Sequence, residues 1–171
     1  MLIELRRRVA EIIYPEGPQE RRRLERRTEL DGLTGLGNKQ ALEQALPLAE
    51  CDPDIAILIF DLNNLGRANK VEGHRRGDAL IRRAARTIQV LTKQLTGQCR
   101  AFRFGGDEFV VISDIACAWE LTQEIRKGFG KHTLLDGTVV SLSGIHGYTF
   151  KEADGLLQEV KLKHKEREKG R

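Results

Sequence analysis

The chain has 171 residues, 40% of them hydrophobic, enough for one domain with a real hydrophobic core. Its 29 basic and 25 acidic residues leave a formal charge of +4 and a pI near 9.1, which suits an anionic partner or substrate, although near balance of the two signs describes a solvated surface as well. The longest apolar run, Ile55 to Phe60, falls far short of the roughly 20 residues of a membrane helix, and charge follows the first apolar residues of "MLIELRRR" at once; a membrane span and a signal peptide are not expected, and the cytoplasm is.

Leu2, Leu5, Val9 and Ile12 form one stripe of a short helix, stopped by Pro15, Gly17 and Pro18. Gln19 to Thr28 is mostly arginine and glutamate around Leu24, and reads as a solvated linker helix or as a dimer-forming stalk. The expected division is a charged helical leader over 1–29 and a domain over 30–171. "DGLTGLGNKQALEQAL" is a turn-rich loop feeding a helix through Ala41, Leu42, Ala45 and Leu46. Asp54 to Leu62 reads as a buried strand carrying Asp61 at its end, and Gly77 to Leu95 has helical periodicity. Arg100 to Phe104 and Phe109 to Ser113 bracket Gly-Gly-Asp-Glu as two strands around a tight turn. Trp119 to Phe129 is a helix, Thr138 to Ile145 a strand, and Lys151 to Lys169 a basic terminal helix. Such alternation predicts an α/β or α+β sheet with helices packed on it. Cys51, Cys99 and Cys117 are scattered without a Cys-x-x-Cys pair, which argues against a disulfide framework or a zinc site and predicts reduced, structural thiols.

The turn raises a chemical question. Gly105 and Gly106 tolerate positive φ and let another group approach the backbone, but Asp107 and Glu108 repel one another unless something positive lies nearby. Asp61 is the natural partner of Asp107. With a main-chain carbonyl near Leu62, the two would make an all-oxygen cage suited to magnesium and completed by phosphate oxygens. That is apparatus for phosphoryl or nucleotidyl transfer.

At this point the sequence resembles the GGDEF-domain diguanylate cyclases. The resemblance rests on "DGLTGLGNK" at 31–39, "FDLNNLGRANKVEGHRRGD" at 60–78, "RFGGDEF" at 103–109 and "EADGLLQEVKLKHK" at 152–165. It implies a palm-like α+β fold, a central mostly antiparallel five-stranded sheet surrounded by helices, with the signature at a hairpin turn. It makes Asp61, Asp107 and the Leu62 carbonyl the magnesium ligands, manganese being an alternative ion, and puts Glu108 near the ribose hydroxyl or the metal. Asn69 and Asp78 match positions that hydrogen-bond guanine, Lys161 and Lys165 match cations that hold the triphosphate, and Gly105 and Gly106 leave room for substrate. As plain structure, Asn69 and Asp78 would be loop and helix caps, and the two lysines a solvated face. His74 is expected to be structural, and the remaining histidines show no metal-ligand pattern.

The departures are specific. Asn63 stands where the family commonly has a second aspartate, Leu65 where it has phenylalanine, Gly66 where it has a phosphate-contacting lysine, and Gln158 where it has tyrosine. Lys70 follows Asn69 where an aspartate is usual. Thr96 to Cys99 occupies the place of the family's Arg-x-x-Asp product-inhibition motif without either charge, so feedback through that site is not expected.

The resemblance thus implies a magnesium-dependent cyclase that condenses two GTP into cyclic di-GMP across a homodimer, with no nucleic-acid or membrane partner. The alternative from another class is a weak GGDEF module that binds GTP as a switch or scaffold. A palm-type cyclase using ATP fits Asn69 and Asp78 less well. Nucleic-acid binding through the arginine-rich leader lacks an aromatic platform.

Overall fold

A computed structural model describes residues 29–94 and 99–169 and, in the last helix, the side chains of 150–159 and 161. The predicted leader helices, the 29/30 domain boundary and Thr96 to Gln98 lie outside these described residues or at their edge.

In chain order the elements are α1 (Lys39–Ala49), β1 (Ile55–Asn63), α2 (Leu65–Glu72), α3 (His74–Gln94), β2 (Arg100–Arg103), β3 (Glu108–Asp114), α4 (Ile115–Phe129), β4 (Lys131–Thr133), β5 (Val139–Gly147) and α5 (Phe150–Lys169). The strands form one sheet in the order β2-β3-β1-β5-β4, every pairing antiparallel. β1 is central and buried on both faces, which is why it reads as a continuous apolar run.

Side chains alternate across the sheet and divide the core in two. Ala56, Leu58, Phe60 and Leu62 meet α2, α3 and α4 on one face, with Phe109 and Val111 of β3. Ile57 and Ile59 meet α1 and α5 on the other, with Val110 and Ile112. By the same parity Asp61 and Glu108, directly paired across β1 and β3, project toward the face covered by α5. α5 comes in close there: a Cβ on Gly147 would lie 2.9 Å from the Ala153 backbone nitrogen.

Three elements depart from expectation. The helix expected from Gly77 starts at His74, and a separate helix, α2, fills the stretch that reads as a polar cluster. Gly73, at φ +83°, breaks the two apart and closes α2 through an N–H donated to the Asn69 carbonyl at 3.0 Å. β4 is a strand that the sequence does not announce. Cys51 is exposed, so it is not a core thiol, and His74 is exposed on the first turn of α3.

Candidate active site

Asp61 is only 6% exposed and lies beside Glu108 across the β1–β3 ladder. Two carboxylates so placed need a cation, and α5 supplies one. The Lys161 ammonium lies 2.7 Å from Asp61 Oδ2 and 3.7 Å from Glu108 Oε1. Burial works against the ammonium charge, but the hydrogen bond to Asp61 and the charges of Asp61, Glu108 and Asp107 outweigh it and raise the pKa above the ordinary lysine value. Asp107 ends the turn before β3, and its carbonyl accepts the Leu62 N–H at 3.1 Å. The structure therefore brings Asp61, Leu62, Asp107, Glu108 and Lys161 into one group.

This donor set suits a hard divalent ion. It is all oxygen, and the charges of three carboxylates already act on one cation position, taken by the Lys161 ammonium. Among the described residues no cluster of three or more acidic, histidine or cysteine side chains has the geometry of a complete metal centre. Magnesium does not need one, because it is commonly held by one or two carboxylates together with substrate phosphates and water.

The turn itself is built differently from the expectation. Neither Gly105 nor Gly106 adopts a left-handed φ, and only at Gly105 would a side chain meet a neighbour. A Cβ on Gly105 would come 3.3 Å from Glu108 Oε2, while one on Gly106 would meet nothing within 4 Å, so the turn stays open above the acids. The Phe104 N–H closes it onto the Glu108 carbonyl at 2.9 Å.

Arg103 fixes the turn from beneath, a role that the sequence alone does not disclose. Its Nη2 donates to the Gly106 carbonyl at 2.8 Å, and its Nη1 lies 3.2 Å from both carboxylate oxygens of Asp31. Asp31 also accepts the Thr34 N–H at 2.9 Å and hydroxyl at 2.6 Å. Burial would raise the Asp31 pKa, but the Thr34 hydrogen bond and the Arg103 charge prevail and lower it. Both residues sit inside the family-like blocks, "DGLTGLGNK" and "RFGGDEF", and their opposite charges are the available signal. Lys39 adds a cation 5.0 Å from the Phe104 ring centroid, and Phe104 packs edge-on against Phe150 at 5.2 Å.

Asn69 lies on α2 and Asp78 on α3, the two helices that follow the end of β1 that carries Asp61. Both lie within helices, so neither is the loop or cap residue of the plain structural expectation. Asn69 is half-buried, and Gly77 makes its room: a Cβ on Gly77 would overlap the Asn69 amide oxygen. Asp78 is half-exposed and 3.9 Å from Arg82, which leaves its carboxylate loosely held.

The substituted positions also take definite places. Asn63 donates to the Ser143 hydroxyl at 2.7 Å, which pins β1 to β5. Gly66 is exposed on the first turn of α2, where a Cβ would meet nothing within 4 Å. Cys99 donates its thiol to the Ser113 hydroxyl at 3.4 Å. Lys165 lies one turn beyond Lys161 on α5, with its side chain outside the described set.

Residues 28–167 match the family described as Diguanylate cyclase, GGDEF domain. The chain is 30% identical over 139 residues to the diguanylate cyclase DgcS of Shewanella oneidensis, which covers 76% of this chain and 46% of that protein. It is 40% identical over 93 residues to the cyclic di-GMP phosphodiesterase PdeB of the same organism, covering 53% of this chain and 10% of that one. The crystal structure of a sensory box/GGDEF family protein from Caulobacter crescentus superposes with a TM-score of 0.64 at 29% identity, covering 79% of this chain and 99% of that one. The chain spans under half the length of the curated relatives it matches.

Proposed function

The chain belongs to the family of diguanylate cyclase GGDEF domains, and from that premise we propose that it condenses two GTP into cyclic di-GMP with release of two pyrophosphates. The observation that carries this reading is the convergence of Asp61 and Glu108 on the Lys161 ammonium, beside the glycine turn whose Asp107 carbonyl accepts the Leu62 N–H. Asp61, Asp107 and the Leu62 carbonyl would hold magnesium, or manganese in its place; when bound, the ion neutralises phosphate oxygens and favours the ionised form of the attacking hydroxyl. Each 3′ oxygen forms a bond to the α-phosphorus of the other GTP, the bond from that phosphorus to pyrophosphate breaks, and the hydroxyl proton leaves toward a carboxylate such as Glu108.

The residues of this chain do the positioning. Gly105 and Gly106 admit the nucleotide, and Asn69 with Asp78 accept and donate at the guanine edge, where a carboxylate matches the N1 and N2 donors. Lys161 and Lys165 carry charge to the triphosphate. Since one domain holds one GTP, two copies must face each other, and the homodimer is part of the mechanism.

A second reading has its own support. Gly66 leaves the triphosphate without one cation, and Lys161 is engaged with Asp61, which would favour a module that binds GTP as a switch for a partner. Pyrophosphate release measured beside calorimetric GTP binding, both with magnesium, separates the two. Release in step with binding supports the cyclase, and binding without release supports the switch.

A further inference from the structure

α3 carries a charged feature that the acidic site does not use. From Ala79 to Gln94 it contains no acid but four cations, Arg82, Arg83, Arg86 and Lys93. A solvated helix face usually interleaves opposite charges at i±4. Here Arg76 pairs with Glu72 at 2.9 Å and Arg82 with Asp78 at 3.9 Å, while Arg83 and Arg86 form no ion pair among the described residues. Arg76, Ala79, Arg83, Arg86 and Val90 recur at 3-4-3-4 spacing, a seam about 21 Å long at 1.5 Å per residue. They line an open groove of about 690 Å³ beside the crossing of α3 and α4, where a Cβ on Gly128 would lie 3.1 Å from the Thr87 methyl. The field of these arginines reaches beyond their own helix. His132 on β4 has its pKa lowered by burial, against a hydrogen bond with the Phe129 carbonyl, and further by Arg83 and Arg76.

We propose that this groove docks an acidic amphipathic helix of a partner protein, with apolar side chains over Ala79 and Val90 and carboxylates paired to Arg83 and Arg86. The 3-4-3-4 seam is the spacing that a neighbouring helix reads. Val90 is 48% exposed and gives that helix an apolar foothold. Guanidinium forks left without carboxylates match glutamate and aspartate in a bidentate way. A second copy of this chain presents the same arginines, so two such grooves repel. The groove runs along α3 and is bounded on α4 by Gly128, and the vesicle arm below separates a partner helix from a bilayer.

The test uses the full chain and a fluorescein-labelled three-heptad peptide with leucine and alanine along one seam and glutamate on both flanks. Its counterpart carries lysine on the flanks, and vesicles of phosphatidylcholine with phosphatidylserine form a third arm. Fluorescence anisotropy should show the glutamate peptide binding. The Arg83→Glu/Arg86→Glu variant should weaken it at least ~10-fold, because like charges then face each other, and should gain affinity for the lysine peptide. Unchanged thermal melting of the variant establishes that the fold is intact, since both side chains are exposed. Equal binding of both peptides, or no effect of charge reversal, overturns the proposal. So does vesicle binding that depends on Arg83 and Arg86 while the glutamate peptide fails to bind, which would assign the surface to a membrane instead.

Discussion

Lys161 Nζ sits 2.7 Å from Asp61 Oδ2, so a lysine expected to hold phosphate and an aspartate expected to hold metal are bonded to each other. On the proposed assignment a magnesium ion would compete with this ammonium for the same carboxylate. Replacing Lys161 by Met removes that ammonium from buried Asp61 and from Glu108. The expected cost is roughly 1–3 kcal/mol, below that of a fully buried pair because the lysine side chain keeps 21% exposure. Magnesium should then restore more stability to the variant than it adds to the parent, since binding to the folded state alone stabilises it. Thermal denaturation across a magnesium titration reads this directly, and equal gains in both proteins would count against the competition. The pH dependence has a definite sign. With its pKa raised on folding, Lys161 contributes fully below the unfolded value of 10.5 and loses that contribution as pH rises through the folded value, so alkaline destabilisation should be shallower in Lys161→Met.

Arg103 joins the Asp31 turn to the Gly106 carbonyl through one guanidinium. Lysine at this position keeps the charge but not the fork. Arg103→Lys is expected to lower kcat by about 10- to 100-fold through misplacement of Asp107 and Glu108, while calorimetric GTP affinity changes little. Asp31, with its pKa lowered on folding, stabilises above its unfolded value of 3.8, and that part is lost as pH falls through the folded value. Acid denaturation should therefore be less steep in Arg103→Met than in the parent. Identical acid profiles would show that the clamp contributes nothing.

Gly77 tests the proposed guanine contacts apart from the acidic group. Alanine within a helix normally stabilises by up to about 1 kcal/mol over glycine, but in this first turn of α3 its methyl must displace the Asn69 amide. Gly77→Ala is expected to raise KM for GTP by about 10-fold, in line with the loss of a hydrogen bond to a buried polar group, and to leave magnesium affinity unchanged. An unaltered KM would remove Asn69 from the nucleotide site.

Gly66 is open and solvent-facing on α2. Gly66→Lys should stabilise the helix by a few tenths of a kcal/mol to about 1 kcal/mol, and should tighten GTP binding at low salt more than at high salt, as expected of a phosphate contact. Binding that is equal to the parent at both salt levels would place the nucleotide phosphates elsewhere.

Much of this is legible from residue patterns. The apolar run through Ile59 marks the central strand, since only a strand buried on both faces is apolar at every position, and the two glycines between apolar stretches mark the hairpin. α2 is hidden because "LGRANKVE" buries only Leu65 and Ala68, too few positions for a periodicity to show. β4 has three residues and no alternation to read. The Arg103–Asp31 clamp joins positions 72 apart in sequence, and charge complementarity at that distance cannot be told from chance without the fold. The Lys161–Asp61 bond is hidden for another reason. Sequence reasoning assigns each residue a different ligand, and only the parity of β1 and the docking of α5 reveal that their side chains meet.

The most direct test is separation of the nucleotide products after purified protein is incubated with GTP and magnesium, with Asp107→Ala and an ATP reaction alongside. Cyclic di-GMP from the parent, none from Asp107→Ala and no cyclic product from ATP is the predicted result. GTP left intact by a parent protein that binds it, or equal product from Asp107→Ala, would contradict a nucleotidyl-transfer centre at Asp61 and Asp107.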